Sequence, residues 1–161
     1  MKLNFIFKNL VLFLFAFAML SCSDDDNELP CEATEISMKI NGVLHTFDPL
    51  GYGIDMIEGG HRLQLNFYRN TPEPFTERNL VLAMLYKQTG HNVVDELLLS
   101  GVINGDYVET DLVNADFTSD VFINRATCFY ATFSGKIVQG GETLTITDGK
   151  ISYQYEDPFD E

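Results

Sequence analysis

Tryptophan is absent from the 161 residues, histidine occurs three times, and lysine and arginine together number ten against 24 aspartates and glutamates. The shortage of positive charge excludes one class of function directly. A chain of formal charge −14 repels phosphate backbones and anionic lipid, and no basic stripe reverses that field locally, so nucleic-acid binding is set aside. His45, His61 and His91 fall in separate segments, without the i, i+4 spacing that puts two imidazoles on one helix face. Cys31 and Cys128, one at each end of the domain, cannot alone supply the three or four converging ligands of a zinc site. No serine sits in a Gly-x-Ser-x-Gly elbow; Ser134 follows Phe133 and has a glycine on one side only. Gly51-Tyr52-Gly53 and Gly59-Gly60 lack the spacing and the lysine of a phosphate loop.

The longest apolar run, Leu10 to Leu20, follows Lys2 and Lys8 and ends at Ser21-Cys22. A basic start, an apolar stretch of about 7–15 residues and a small residue at the cut describe a secretory signal. As a helix the run rises about 16 Å, roughly half a bilayer's hydrocarbon core, which argues against a permanent span. Met19-Leu20-Ser21-Cys22 resembles the lipobox of bacterial lipoproteins. The resemblance implies cleavage before Cys22 and acylation of that cysteine, with an ordinary secreted protein as the alternative. Two or more acyl chains anchor a protein stably where one does not. The acidic run Ser23-Asp24-Asp25-Asp26-Asn27-Glu28 cannot fold onto a core and reads as a solvated tether. It also resembles the surface-export signal of Bacteroidetes-type lipoproteins, which implies an outer-membrane anchor and exposure to the cell exterior; a plain spacer is the rival.

The chain therefore divides into a signal peptide (1–21), a lipidated cysteine with its tether (22–30), a β-sandwich-like domain (31–156) and an acidic tail (157–161) expected to fray. Cleavage removes two lysines and no acid, taking the formal charge from −14 to −16. In an oxidising compartment Cys31 and Cys128 are expected to pair, closing a loop of about 100 residues worth roughly 4.7 kcal/mol in the chain-entropy model. Two separate buried thiols are the alternative.

Alternation sets the fold class. Asn41-Gly42 between alternating residues predicts a two-residue hairpin pairing Ile40 with Val43, Met38 with His45 and Ile36 with Phe47, all six on a buried face. Asp148-Gly149 predicts a second hairpin pairing Ile146 with Ile151 and Leu144 with Tyr153, with Thr143, Thr145, Thr147, Lys150, Ser152 and Gln154 facing water. Leu63, Leu65 and Phe67; Phe117, Val121 and Ile123; and Phe129, Ala131, Phe133 and Ile137 each alternate with polar residues, as strands with one wet face do. Asn79 to Tyr86 is apolar on both parities and suits a central strand. Val93 to Leu99 reads equally as a strand or one short helix. The expectation is an all-β, antiparallel sandwich or barrel of about eight or nine strands.

"Ile-Asn-Gly" at 40–42, "Ala-Thr-Phe-Ser-Gly-Lys" at 131–136 and "Ile-Thr-Asp-Gly-Lys" at 146–150 resemble the small single-domain lipoproteins of Bacteroidetes-type bacteria. Where such proteins often carry tryptophan after the first turn, this chain has Leu44-His45-Thr46. The resemblance covers most of 32–156 and implies a β-rich fold without catalytic residues to carry over.

Three sets of residues remain as candidates for chemistry. His45 is aimed by its register at the apolar face, as a core histidine or a ligand. Tyr68 and Tyr130 point outward and could stack on a glycan in place of the missing tryptophan. Asp116 and Asp120, within an acidic stretch, could gather calcium, although no Asp-x-Asp-x-Asp-Gly loop is present. The same acids could form a glycosidase pair. The expected function is a non-enzymatic binding or accessory module with a glycan, nutrient or protein partner and no catalytic cofactor.

Overall fold

The computed structural model describes residues 29–69, 78–103 and 106–159. Cys22, the signal segment, the acidic run 23–28 and residues 160–161 lie outside the described residues. Ten strands follow in order: β1 (Glu35–Ile40), β2 (Val43–Ile57), β3 (Gly60–Arg69), β4 (Arg78–Leu85), β5 (Gly90–His91), β6 (Glu96–Ile103), β7 (Asp106–Asp111), β8 (Thr118–Asn124), β9 (Cys128–Gln139) and β10 (Glu142–Gln154). They form one antiparallel sheet, ordered β5-β8-β9-β10-β1-β2-β3-β4-β6-β7 and curled into a half-barrel. The all-β expectation holds. No helix occurs among the described residues; Val93–Asp95 is a loop and Glu96–Leu99 open β6, so the strand alternative holds for the latter part of that segment.

β2 is the corner of the sheet. Val43–Phe47 pair with β1, and Asp48–Ile57 pair with β3. Pro49, which has no N–H for a ladder, sits where the register slips, and Leu50 is turned out to 67% exposure. A bulge of this kind bends its strand, so one segment serves both halves of the sheet. The inner face is apolar by alternation: Ile36, Met38 and Ile40 on β1, Leu63, Leu65 and Phe67 on β3, Leu80, Leu82 and Met84 on β4, Leu97 and Leu99 on β6. Phe129, Ala131, Phe133 and Ile137 of β9 face them in the same buried cluster. At about 1.5–3 kcal/mol for each fully buried large side chain, this cluster is the main source of stability.

The Asn41-Gly42 hairpin forms in the expected register, with φ of 50° and 81°. Val43, expected on the buried face, is 62% exposed at the tip although its partner Ile40 is buried. Asp148-Gly149, by contrast, is not a turn. β10 runs through it, pairing Ile146 with Gly135 before it and Gly149 with Phe133 after it, and the registers against β9 and β1 both slip there. Asp148 adopts φ 50°, a conformation that serves a bulge as well as a hairpin. Ladders with β9 and β1 on either side give residues 142–154 more backbone pairing than folding back would. The turn between β9 and β10 is Gly140-Gly141, with φ of 61° and 85°. Gly149 is fixed by a close approach: a Cβ there would stand 2.5 Å from two ring carbons and the carbonyl oxygen of Phe133.

Cys31 and Cys128 form the expected disulfide, 97 positions apart. It pins the chain before β1 over the outer side of β9 and β10. Ser152 Oγ donates to Ala33 O at 3.0 Å, the Gln154 amide to Thr34 Oγ1 at 3.1 Å, and Arg125 Nη2 to Leu29 O at 2.6 Å. Ser152, expected to face water, is buried beneath this strap. The acidic tail is ordered through Phe159. The Tyr52 hydroxyl donates to Asp157 O and accepts from its amide, both at 2.9 Å, and the Phe159 ring lies 5.0 Å from Tyr155 and 5.4 Å from Tyr52. One aromatic side chain with a pocket to fill outweighs the solvation of its acidic neighbours.

Two outcomes follow from this packing. Reducing the disulfide should lower stability by about 2–5 kcal/mol, seen as a fall in the urea midpoint on adding reductant. Gly149→Ala should cost about 1–3 kcal/mol, because Phe133 must be displaced; Gly53→Ala, whose Cβ would meet nothing within 4 Å, serves as the control in the same denaturation series.

Candidate functional site

The expected ligand-binding residues do not converge. Tyr130 is half-buried on the outer face of β9 and Tyr68 half-buried on β3, with three strands between them; His45 is on the inner face of β2. Two separate surfaces result.

The first is a trough across the outer face of β8, β9 and β10. Phe122 alternates outward between the buried Val121 and Ile123, is 47% exposed, and stacks on Tyr130 at 5.1 Å and 27°, where the β8 register slips against β9. Lys150 Nζ lies 5.8 Å above the Tyr130 ring and is held by Glu35 at 2.9 Å and Glu32 at 3.1 Å. Hydrogen bonds to those two carboxylates raise its pKa, so it stays charged. Beyond this pair runs a groove of about 530 Å³ lined by Thr118, Asp120, Thr132, Ser134 and Thr147, among others, where the Asp148 bulge opens the sheet. Two further grooves of about 290 and 370 Å³ continue it past Lys136 and Asp116. Thr118 and Ser134 hydroxyls bond each other at 3.0 Å, Asp148 pairs with Lys39 at 2.8 Å, and Asp120 Oδ1 meets His91 Nδ1 at 2.9 Å. The surface thus offers hydroxyls, carboxylates and ammonium groups beside an aromatic platform. Asp120 lines the first groove and Asp116 the other two. Among the described residues no group of three or more His, Cys, Asp or Glu is placed to hold a metal ion.

The second candidate is a polar end of the half-barrel. At the opposite end Tyr52, Tyr86, Tyr153, Tyr155 and Phe159 seal the core with rings 4.8–5.6 Å apart. Burial pushes the Tyr155 hydroxyl's pKa up, with Tyr86, Tyr153 and Tyr52 adding to the shift. At the polar end the inward-facing rows finish in His45, Arg69 and Arg78. Arg69 continues the row Leu63, Leu65, Phe67, and Arg78 begins the row that continues in Leu80, Leu82 and Met84; the two arginines are paired across β3 and β4. Arg69 Nη1 contacts His45 Nδ1. A guanidinium can only donate, so Nδ1 accepts and the imidazole proton sits on Nε2. Burial, then Arg69, then Arg78 lower the His45 pKa to about 4, and burial followed by Arg69 lowers that of Arg78. On the floor of this end Gln139 reaches across from β9, its Nε2 donating to Leu99 O at 3.1 Å.

Phe122, Arg69 and Arg78 escaped the sequence reading. Strand parity could have found the arginines, since each extends an apolar alternation by one step. The same parity puts Phe122 outward, between the inward Val121 and Ile123.

No protein-family model, curated protein or solved structure matches the chain.

The His45 shift has a pH consequence. Its folded pKa lies below the ordinary 6.5, so the folded state resists protonation that the unfolded chain accepts. The stability it preserves is complete above pH 6.5 and is lost progressively as pH falls from 6.5 towards 4. The difference in unfolding midpoint between wild type and His45→Gln should therefore shift against wild type across that window and level off below it. A constant difference would mean that His45 titrates alike in both states.

Proposed function

We propose that this chain is a lipid-anchored, surface-exposed accessory protein of a Bacteroidetes-type outer membrane, held through Cys22, that binds glycan chains without catalysing a reaction. The lipobox-like run and acidic tether support the anchor. One observation carries the ligand class: the exposed Phe122 ring stacked on Tyr130 at the head of a trough lined with hydroxyls and carboxylates. Sugar rings present an apolar face that stacks on aromatics and a hydroxyl rim that pairs with Thr, Ser and Asp. The trough is open and shallow, which suits an extended chain running along the sheet better than a small enclosed molecule.

Binding of the full chain to a panel of immobilised polysaccharides tests this directly. Phe122→Ala should weaken binding about tenfold while leaving the unfolding midpoint within a degree or two, because the ring is solvent-exposed. Absence of binding to every polysaccharide would discard the glycan reading and favour a protein partner on the same face.

A further inference from the structure

We propose that the polar end of the half-barrel is a binding site for a phosphate group, held between Arg69 and Arg78 with His45 as a third donor. This site is on the inner face of the sheet and does not rest on the glycan reading of the outer trough.

Like charges directly opposite on neighbouring strands repel, and Arg69 and Arg78 are such a pair. The chain carries 24 carboxylates, yet none among the described residues stands within ion-pair distance of either guanidinium. Arg78 Nη1 is buried and makes no hydrogen bond. A buried donor without an acceptor is costly, and costlier when it carries charge. Across β6 the position opposite Arg78 is Gly101, which adds no side chain to fill the space beside it. The donor inventory is equally one-sided: two guanidiniums and, with Nδ1 occupied by Arg69, the His45 Nε2–H. An acceptor-only oxyanion matches such a set. Two planar forks with a combined charge of +2 suit a doubly charged phosphate group better than a single carboxylate. The neutral imidazole contributes a hydrogen bond without a third charge.

The test is thermal unfolding and titration calorimetry of the full chain against inorganic phosphate, with sodium chloride at matched ionic strength as the screening control and acetate as the monoanion. Phosphate should give a saturable midpoint rise of several degrees that chloride does not, with acetate weaker. Arg78→Met should abolish that rise while raising the midpoint in phosphate-free buffer, since the repulsion goes with the charge. Arg78→Lys keeps the charge without the fork and should bind phosphate about tenfold more weakly, which keeps the test decisive if the methionine variant fails to fold. A hexose phosphate binding more tightly than inorganic phosphate would place the group on a sugar; equal affinity would identify the free anion. Either supports the site. Equal effects of phosphate and chloride, or a phosphate shift surviving in Arg78→Lys at full strength, would overturn it. So would a Glu73→Gln, Glu77→Gln variant that lowers the midpoint while phosphate has no effect, because the arginines would then be satisfied within the chain.

Discussion

A ten-stranded sheet with one apolar face cannot remain flat in water, and the bend in β2 is what lets this one close. Phe47 belongs to the half that pairs with β1, and Tyr52 and Ile54 to the half that pairs with β3. Between them Pro49 interrupts the ladder and Leu50 is turned out, so the strand changes direction without breaking the order of its neighbours. Leu80, Leu82, Leu97 and Leu99 are thereby carried over Phe129, Ala131 and Phe133. Without the corner, both sets would face solvent. The disulfide acts on the other side of the same architecture, fastening the first described residues over β9 and β10 and covering Ser152.

Two Asx-Gly pairs show where local chemistry stops being decisive. Asn41-Gly42 and Asp148-Gly149 both place a non-glycine residue at φ 50° and both lie between alternating residues. One is a hairpin and the other a bulge. What separates them is the availability of partners: β1 has β2 waiting immediately after its turn, whereas the residues on both sides of Asp148 are claimed by β9 and β1. Long-range pairing cannot be read from a window of a dozen residues. The outward position of Phe122 was open to a local reading, but its stacking on Tyr130 depends on how β8 pairs with β9. The inner faces of β1, β3 and β9, in contrast, were legible because period-two alternation is a property of each strand alone.

Charge misled in both directions. The acids around Phe159 suggested a solvated tail, yet three neighbouring rings and the two hydrogen bonds between Tyr52 and Asp157 hold it. The overall acidity suggested a uniformly negative surface, yet it conceals a basic mouth built from residues on β2, β3 and β4. A net charge describes the far field, while recognition depends on the few groups that share a cavity. His45 was singled out from its register alone, and its neighbours, Arg69 and Arg78, are what give it a chemical role.

The two ends of the half-barrel are made from one set of strands and differ for a single reason. At one end the inward rows finish in aromatic rings that stack and exclude water; at the other they finish in guanidiniums that cannot be left dry without an acceptor. A fold under selection for stability alone would extend the apolar rows, since exchanging two opposed arginines for leucine and valine would remove repulsion and add burial. Among the described residues no carboxylate offsets the cost of retaining them, and an anion held between the two guanidiniums, as proposed above, would do so.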